Sequence, residues 1–507
     1  MALENELRVV LLLSAVWAIE RCCKYVNASP IIGQIIAVGL IVGPALLDLI
    51  PFVEAFRLLG KLGVMILVIE SGIAVDVADI RRLGIRASVA AATGVVLPTL
   101  ISFALFAGVL RTGWKEALAV GASLSPTSLG FSAQLLGEVG ELSTPMGHLI
   151  CTAAVIDDVL SLLLLAEVEA LGGEDSNVFS YVLPVVASAG SVLVGGIVTV
   201  VVSSKTEELD SLLRSLNDPA RRRQSSASTP NPLHPELVQS KPSDTGASRQ
   251  SDTMLTDGAS EAVETIYSQP GASNVPSTGA VGAVGLGDRL LLLMVLTLSL
   301  LFAYCSALVG SSDLLGCFLG GVALSGIHGV QRVWARQMEK FTQWGARLFF
   351  STTVAFSVPS IYKDGGLLRP ASLWKGLMLT VAAVLGKLAV GVFAGSPLTM
   401  AGFMKVGWAM NGRGEFSFFI AQSANQNDIL TAENFSAVVL ALLLSSVMAP
   451  IGFRRALMVG RRAEEAETVA TFNGVSLGGS SRWTAGEVEG VDMVGRAEGK
   501  GVTAGES

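Results

Sequence analysis

The sequence is dominated by apolar runs, each about as long as a helix that crosses a lipid bilayer. One crossing needs about 20 mostly apolar residues. Only 15% of the 507 residues are charged, against about 25% in soluble domains. These runs predict an all-α polytopic membrane protein of about thirteen transmembrane helices. The predicted spans lie near residues 7–24, 31–50, 57–75, 84–110, 116–135, 146–168, 178–203, 288–310, 312–328, 341–358, 373–396, 403–424 and 435–457.

Two polar segments interrupt this pattern and divide the chain into four regions. A stretch rich in Ser, Pro, Gly, Thr and Asp separates the seventh and eighth spans, and its low apolar content predicts a disordered loop. The Gly- and Glu-rich tail is expected to be disordered for the same reason. The predicted regions are a first membrane repeat plus a linker helix at 1–203, a disordered cytosolic loop at 204–287, a second membrane repeat at 288–457 and a disordered cytosolic tail at 458–507.

The thirteen predicted spans divide into six, one and six. Corresponding helices of the two sets of six lie seven spans apart. Because seven is an odd number, each helix of the second set crosses the membrane in the direction opposite to its counterpart in the first. Two inverted six-helix repeats of this kind are the common architecture of secondary transporters, in which the binding site lies at the midplane between the repeats. We therefore expect a transporter with its site near the middle of the membrane.

The positions of Lys and Arg near the span ends predict the orientation of the chain. The amino terminus is expected outside and the carboxyl terminus in the cytosol, in a multi-pass arrangement. Lys363, Arg369 and Lys375 are exceptions that fall outside. The basic loops that define the cytosolic side contain Arg81, Arg82, Arg86, Arg221, Arg222, Arg223, Arg332, Arg336, Lys340, Arg454 and Arg455.

Helix-breaking residues occur at matching places in the two repeats. The fifth span of the first repeat contains Ser125 and Pro126, and the fifth span of the second contains Gly412 and Gly414. Proline and glycine free backbone polar groups, which a bilayer tolerates only where they line a polar cavity or are buried in protein. The matched positions predict two discontinuous helices that cross at the site.

Two adjacent aspartates, Asp157 and Asp158, lie near the centre of the sixth span. Charges at this depth are costly and are usually functional. Neighbouring residues of a helix point about 100° apart, so one carboxylate can face a cation while the other meets a partner. Two carboxylates this close in a low-dielectric site do not both ionise freely, which suits a proton-coupled carrier. The alternative is a buried structural pair that is bonded to hydroxyl groups.

Other charges within the spans are expected to support this pair. Lys387 lies near the centre of the eleventh span and needs an acidic partner, for which Asp157 is the candidate. Arg413 and Glu415 lie in the second break and are expected to neutralise each other or the broken helix ends. Two further charges lie nearer the span ends and are expected to be interfacial or paired: Glu70 and Arg347.

The order of these motifs resembles the monovalent cation:proton antiporter family in its second branch, the sodium/potassium–proton exchanger type. The paired-aspartate motif is carried by Ala154–Leu160, and the unwound crossing helix by Ser125–Ser128. Gly386-Lys387 and Arg413-Gly414-Glu415 also match, as does the stretch from Gly33 to Gly43-Pro44. The resemblance covers nearly all of residues 30–457 apart from the long loop.

The resemblance implies exchange of Na⁺ or K⁺ for H⁺ by a core domain that rises and falls against a dimerising panel. It implies a homodimer in the lipid bilayer. It also implies that Asp158 is the cation-binding carboxylate, that Asp157 pairs with Lys387, and that Thr127 lies near the ion. The paired aspartates favour similarity to the electrogenic, sodium-type members of that family. One departure is Gly72-Ile73-Ala74, where many members have Gly-Leu-Glu.

The sequence excludes some functions and leaves two alternatives to an antiporter. No basic stripe suggests nucleic acid, and three histidines leave little for a metal or catalytic site. The tail lacks Gly-x-Gly-x-x-Gly, so neither nucleotide regulation nor any cofactor is expected. An ion channel or an anion symporter of related inverted-repeat fold remains an alternative. A remote alternative is an intramembrane aspartyl protease, because Gly285-Leu286-Gly287-Asp288 has the letters of a protease motif.

Overall fold

A computed structural model of the protein describes residues 2–26, 33–35, 52–173, 178–217, 285–327, 329–357, 366–395 and 399–478. Every regular element in these residues is helical. The elements of the first part of the chain are α1 Ala2–Val26, α2 Val53–Ile73, α3 Val77–Phe103 with its π-helical extension Ala104–Val109, α4 Trp114–Ser123, α5 Leu129–Glu138, α6 Pro145–Leu171, α7 Val178–Ser204 and α8 Thr206–Asn217.

The second part of the chain continues the helical pattern after residue 284. Its elements are α9 Leu286–Leu308, α10 Asp313–Ser325, α11 Val330–Lys340 with the π-helix Phe341–Ala346, α12 Arg347–Ser357, α13 Pro370–Leu388 with the 3₁₀ segment Ala389–Ala394, α14 Met400–Ala409, α15 Glu415–Gln426 and α16 Ala432–Gly478.

Within the described residues, six helices are long and apolar enough to cross a membrane. They lie at Arg82–Val109, Pro145–Leu171, Val182–Ser204, Leu286–Leu308, Pro370–Ala394 and Ala432–Arg462. The predicted all-α, multi-pass class is confirmed. The predicted span at 31–50 lies outside the described residues except for positions 33–35, which are helical. The predicted spans at 116–135 and 403–424 are each two short helices joined by a break, as the proline and the glycines indicate.

Local sequence signals explain where several helices begin. The Thr144 hydroxyl accepts a hydrogen bond from the Gly147 N–H, and Pro145 occupies the first turn of α6. Proline suits this position because its missing N–H would have no partner inside the helix. Ser128 caps α5 in the same way, and Thr399 caps α14. These caps fix the depth at which α6 and the two broken helices enter the site.

Two sets of neighbouring helices are distinguished within the compact unit Met1–Leu457. The core helices, α3, α4, α6, α13 and α15, surround the two breaks, while the panel helices, α2, α7, α9, α10 and α12, pack side by side. Within the panel, Gly72 lies against the Phe318 carbonyl, and a Cβ at Gly321 would lie 2.6 Å from the Ile69 carbonyl. Small residues allow this close approach of α2 and α10. Gly72, which precedes the departure from the family pattern at Ile73 and Ala74, is thus a packing position.

The structure differs from the predicted loop at residues 204–287 in its first part. Residues 206–217 form α8, whose Leu209 and Leu213 pack against the main apolar core. Leucines four residues apart share one helix face, and Glu207 and Glu208 favour the helix start by their charge. Because the hydropathy of the segment as a whole is low, its sequence did not indicate this short amphipathic helix.

The predicted tail also begins too early. α16 continues to Gly478 rather than ending near residue 457. The continuation contains Arg, Ala and Glu residues of high helix propensity (Arg461 to Glu467), which extend a helix that has already been nucleated. The predicted order beyond 478 lies outside the described residues.

Candidate functional site at the crossing of two broken helices

The two broken helices cross in direct backbone contact. The Ser128 N–H donates to the Gly412 carbonyl at 2.9 Å, and the Ser132 hydroxyl donates to the Ala409 carbonyl at 2.8 Å. A Cβ at Gly414 would lie 2.7 Å from the Ser128 Cβ. Glycine is therefore required by this close approach. Each break supplies hydrogen-bond partners to the other, so the freed backbone groups need no contact with lipid.

Arg413 neutralises the carbonyl end of the first broken helix. Its guanidinium group donates to the carbonyls of Ser125 at 3.4 Å and Pro126 at 3.3 Å, both just beyond α4. It also donates to the Ala383 carbonyl at 3.1 Å and to the Asn411 side chain at 3.3 Å. The carboxyl end of a helix carries a partial negative charge, which a buried cation offsets. These contacts agree with the expected role of Arg413 at the broken helix ends, which stays a prediction.

Lys387 and Asp157 form a fully buried ion pair. The Lys387 ammonium nitrogen lies 3.2 Å from Asp157 Oδ2, and both side chains are 0% exposed. The same ammonium group donates to the Thr127 hydroxyl at 2.5 Å. That hydroxyl in turn donates to the Met410 carbonyl at 3.1 Å. The Thr127 N–H donates to Asp157 Oδ2 at 2.5 Å. The pair thus joins α6, α13 and both breaks.

Asp158 is buried beside this pair but is held differently. Its side chain is 2% exposed, and its Oδ1 accepts no hydrogen bond from the described part of the chain. The charges that act on it are those of Asp157, Glu415 and Lys387. The Ser161 hydroxyl donates to the Asp157 main-chain carbonyl rather than to the Asp158 carboxylate. A buried carboxylate oxygen without a donor is costly, and it is an available ligand for a cation or a proton.

Several residues of the site were not singled out from the sequence. A Cβ at Gly94 would lie 3.3 Å from the Lys387 ammonium nitrogen, so glycine here makes room for the lysine. Gly386, which the sequence indicated as part of a family motif but not as a packing position, plays a similar part, since its Cβ would lie 2.7 Å from the Pro98 Cα. Glycine is common in membrane helices, so glycine alone does not indicate a packing role. Only its occurrence together with Pro98 and Lys387 could have indicated Gly94 and Gly386. Asn411 and Ser417 also contact the breaks.

The remaining predicted charges lie away from the aspartates or at the margin of the site. Glu415 is half-buried in the first turn of α15. Glu70 is half-buried near the end of α2, while the Arg347 side chain lies outside the described residues. Asp288 lies in the first turn of α9, at the end of a membrane-spanning helix. This position does not bring it to the paired aspartates as a protease would need.

Comparison with known proteins identifies the family. The model of the sodium/hydrogen exchanger transmembrane family matches residues 9–212 and 287–459, which is most of the chain. The chain is 23% identical over 426 residues to the Na⁺/H⁺-K⁺ antiporter GerN of Bacillus cereus, covering 83% of this chain and 88% of GerN.

Two further similarities agree with that match. The chain is 32% identical over 144 residues to the high-affinity Na⁺/H⁺ antiporter NhaS3 of Synechocystis sp., covering 28% of this chain but only 31% of the length of NhaS3. The structure of the sodium proton antiporter MjNhaP1 of Methanocaldococcus jannaschii shares the fold, with a TM-score of 0.57 at 14% identity, over 90% of this chain and 99% of that one. The chain therefore belongs to the sodium/hydrogen exchanger family and is a multi-pass membrane transporter rather than an enzyme.

Proposed function

We propose that this protein exchanges a monovalent cation, Na⁺ or K⁺, for H⁺, and that Asp158 is the carboxylate at which the two compete. The observation that carries the proposal is the asymmetry of the aspartate pair. Asp157 is occupied by Lys387 and Thr127, whereas Asp158 Oδ1 has no donor among the described residues. Antiport by the relatives NhaS3 and GerN, whose names state it, supports the same reading.

The chemistry follows from the cost of charge in the membrane. An ionised Asp158 without a cation would leave an uncompensated charge in a buried site, which is strongly unfavourable. A proton removes that charge, and a monovalent cation balances it. The empty site therefore holds a proton and releases it when the cation binds. The Thr127 hydroxyl and the carbonyls of the breaks are the neutral oxygen ligands that we assign to the bound cation.

Alternating access completes the proposal. Among the described residues, the side-chain hydrogen bonds and the ion pair of Asp157 and Lys387 are all made by core helices and the first break. A site carried by one rigid group can move past the other without being taken apart, which is a common mode of transport in inverted-repeat folds. We propose that the core helices move as a unit against the panel helices of a homodimer.

The proposed orientation keeps the amino terminus outside and the carboxyl terminus cytosolic, on the positive-inside rule. An accessibility measurement tests it: a cysteine introduced near Arg455 should react with an impermeant reagent only from the cytosolic side. Labelling of that cysteine from outside in sealed cells would reverse the orientation.

The experiment that tests the function is exchange in proteoliposomes. Protein is reconstituted with an internal acid load, and a pH-sensitive dye reports collapse of the gradient on addition of Na⁺, K⁺ or Li⁺ separately. Collapse by at least one cation is expected from the wild-type protein and not from Asp158→Asn. An ion channel would pass the cation without moving protons, and an anion symporter would respond to the anion instead. Either result would replace the antiport proposal.

A further inference from the structure

An apolar surface groove lies between the end of α3 with its π-helical extension and residues Trp374–Leu385 of α13. Its volume is about 620 Å³, within the range of about 300–1,000 Å³ found for small-molecule pockets. The lining is apolar and comes from both helices; it includes Ile101, Ala104, Val109, Trp374, Val381 and Leu385. Val109, Trp374, Val381 and Leu385 are each more than half exposed in the protein alone.

The local backbone explains why the groove is open. The last residues of α3 adopt a π-helix at Ala104–Val109, and π-helical turns occur frequently at functional sites. Ala104 has the smallest side chain on the part of the groove wall that Ile101 to Val109 supply. The space beside its methyl group toward α13 stays unfilled.

An arginine follows one end of the groove in the chain. Val109 and Trp374 line that end, and Arg111 comes two residues after Val109, in the turn before α4. The turn is closed by the Leu110 N–H donating to the Leu105 carbonyl at 3.0 Å. Arg111 has a φ of 53°, a strained left-handed conformation for this residue type. Its side chain is exposed and makes no hydrogen bond or ion pair with the described residues.

We propose that this groove binds one phospholipid with an anionic headgroup, with an acyl chain against α3 and α13 and the phosphate at Arg111. The length fits: the twelve residues from Trp374 to Leu385 span about 17 Å of helix, close to half of the about 30 Å hydrocarbon core. Trp374 lines the same end of the groove as Val109, and tryptophan is enriched at membrane–water interfaces. Arg111, which has no partner among the described residues, can pair with the phosphate, and its charge favours a headgroup of net negative charge over a zwitterionic one.

The volume argues against a protein occupant. A helix about 10–12 Å in diameter, laid along the same 17 Å, would need more than twice the available space. A hydrocarbon chain is narrower and meets only apolar side chains. Leu385 precedes the buried Lys387 by two residues on α13. A bound lipid therefore braces the helix that carries the lysine, from the face opposite the ion pair, and should stabilise the folded protein.

The proposal is tested by lipid binding to the purified protein in detergent, independently of transport. Phosphatidylglycerol and phosphatidylcholine with brominated acyl chains are titrated, and tryptophan quenching and the thermal midpoint are recorded. The chain has six other tryptophans, so we expect Trp374→Phe to remove one component of the quenching, and phosphatidylglycerol to bind about fivefold tighter. That factor corresponds to about 1 kcal/mol for one basic residue at a membrane surface. Arg111→Gln should remove the preference for phosphatidylglycerol.

Variants within the groove test the acyl chain separately. Ala104→Phe should fill the groove and abolish the Trp374 component of the quenching, and Val381→Ser should weaken binding of both lipids without filling space. Two matched controls lie on the same helix away from the groove: Arg82→Gln, another exposed arginine, and Val89→Phe, another exposed apolar position. Both should bind like the wild-type protein.

Three outcomes would overturn the proposal. The first is equal affinity for the two lipids in the wild-type protein. The second is wild-type quenching in both Ala104→Phe and Val381→Ser when these variants melt like the wild-type protein. The third is full stabilisation by inorganic phosphate alone, which would make Arg111 a site for free anions without an acyl chain.

Discussion

The ammonium group of Lys387 lies 3.2 Å from the Asp157 carboxylate, and no solvent reaches either side chain. The lysine approaches from α13 and the aspartate from α6, 230 residues apart in sequence. Because Thr127 of the first break also contacts both groups, this pair fixes the position of the break relative to two helices. Asp158, the next residue of α6, remains outside the pair. Asp157 therefore has partners from two other parts of the chain, whereas Asp158 Oδ1 has none among the described residues.

Asp158→Asn is expected to abolish exchange while expression and folding stay near those of the wild-type protein. A neutral amide can neither carry the proton nor balance the charge of a bound cation, and it keeps the size of the side chain. Dye-reported exchange in proteoliposomes measures the effect. Glu138→Gln is the matched control, because that carboxylate pairs with Arg454 at the margin of the protein. Wild-type exchange by Asp158→Asn would disprove the assignment of the site.

Lys387→Ala is expected to lower stability as well as transport. It leaves Asp157 buried without its partner, which typically costs about 3–5 kcal/mol in soluble proteins. Thermal unfolding in detergent measures the loss. Lys205→Ala is the control, since Lys205 pairs with the exposed Glu208, and such pairs contribute about 0–1 kcal/mol. In the double variant Lys387→Ala with Asp157→Ala, part of the lost stability should return. Additive losses would show that the pair is not coupled.

Gly414→Ala is expected to impair transport by forcing the two breaks apart. Its Cβ would lie 2.7 Å from the Ser128 Cβ, closer than two carbon atoms can approach. Overpacking of this kind costs about 1–3 kcal/mol. Gly84→Ala is the control, because a Cβ there would meet nothing within 4 Å; alanine is a better helix former than glycine, so this variant should be at least as stable as the wild-type protein. Equal exchange rates in the two variants would refute the argument.

Deletion of residues 220–280 is expected to leave basal exchange intact, because this stretch lacks the apolar content to contribute to the core. The deletion spares α8, whose Leu209 and Leu213 pack against the core. A longer deletion of 206–280 should therefore lower the thermal midpoint. Loss of exchange in the shorter, well-expressed deletion would show that the stretch is structural. Equal stability of both deletions would show that α8 contributes nothing.

The apparent KM for the cation is expected to depend on pH if protons and cations share Asp158. On the acidic side, KM should rise by up to about tenfold per pH unit for one competing proton. The maximal rate at saturating cation should change much less there. At high pH, KM should level off and the rate should fall as protons become scarce on the return step. Initial rates at several symmetric pH values measure this, and a flat KM through the acidic range would exclude a shared site.

Much of the fold could be predicted from the sequence because the bilayer imposes a strict length on each apolar run. The helix breaks at Pro126 and Gly412 could be predicted for a related reason. Proline and glycine in an apolar run free backbone groups, which must find hydrogen-bond partners within the protein. The need of Lys387 for an acidic partner follows from the cost of a buried charge. The short amphipathic pattern of α8 was missed because four polar residues in its first turns lower the mean hydropathy.

The sequence by itself determined that two carboxylates, a lysine and two helix breaks lie at membrane depth, because the energetic cost of charge and free backbone in hydrocarbon depends only on residue type. The tertiary structure decided which groups meet. Arg413 is two residues from Glu415, yet its donors point to carbonyls 287 and 288 residues away. Asp157 and Asp158 are chemically identical neighbours, and only the approach of α13 and Thr127 gives one a partner and leaves the other open. Such differences arise from packing between helices, which the period of a single helix does not encode.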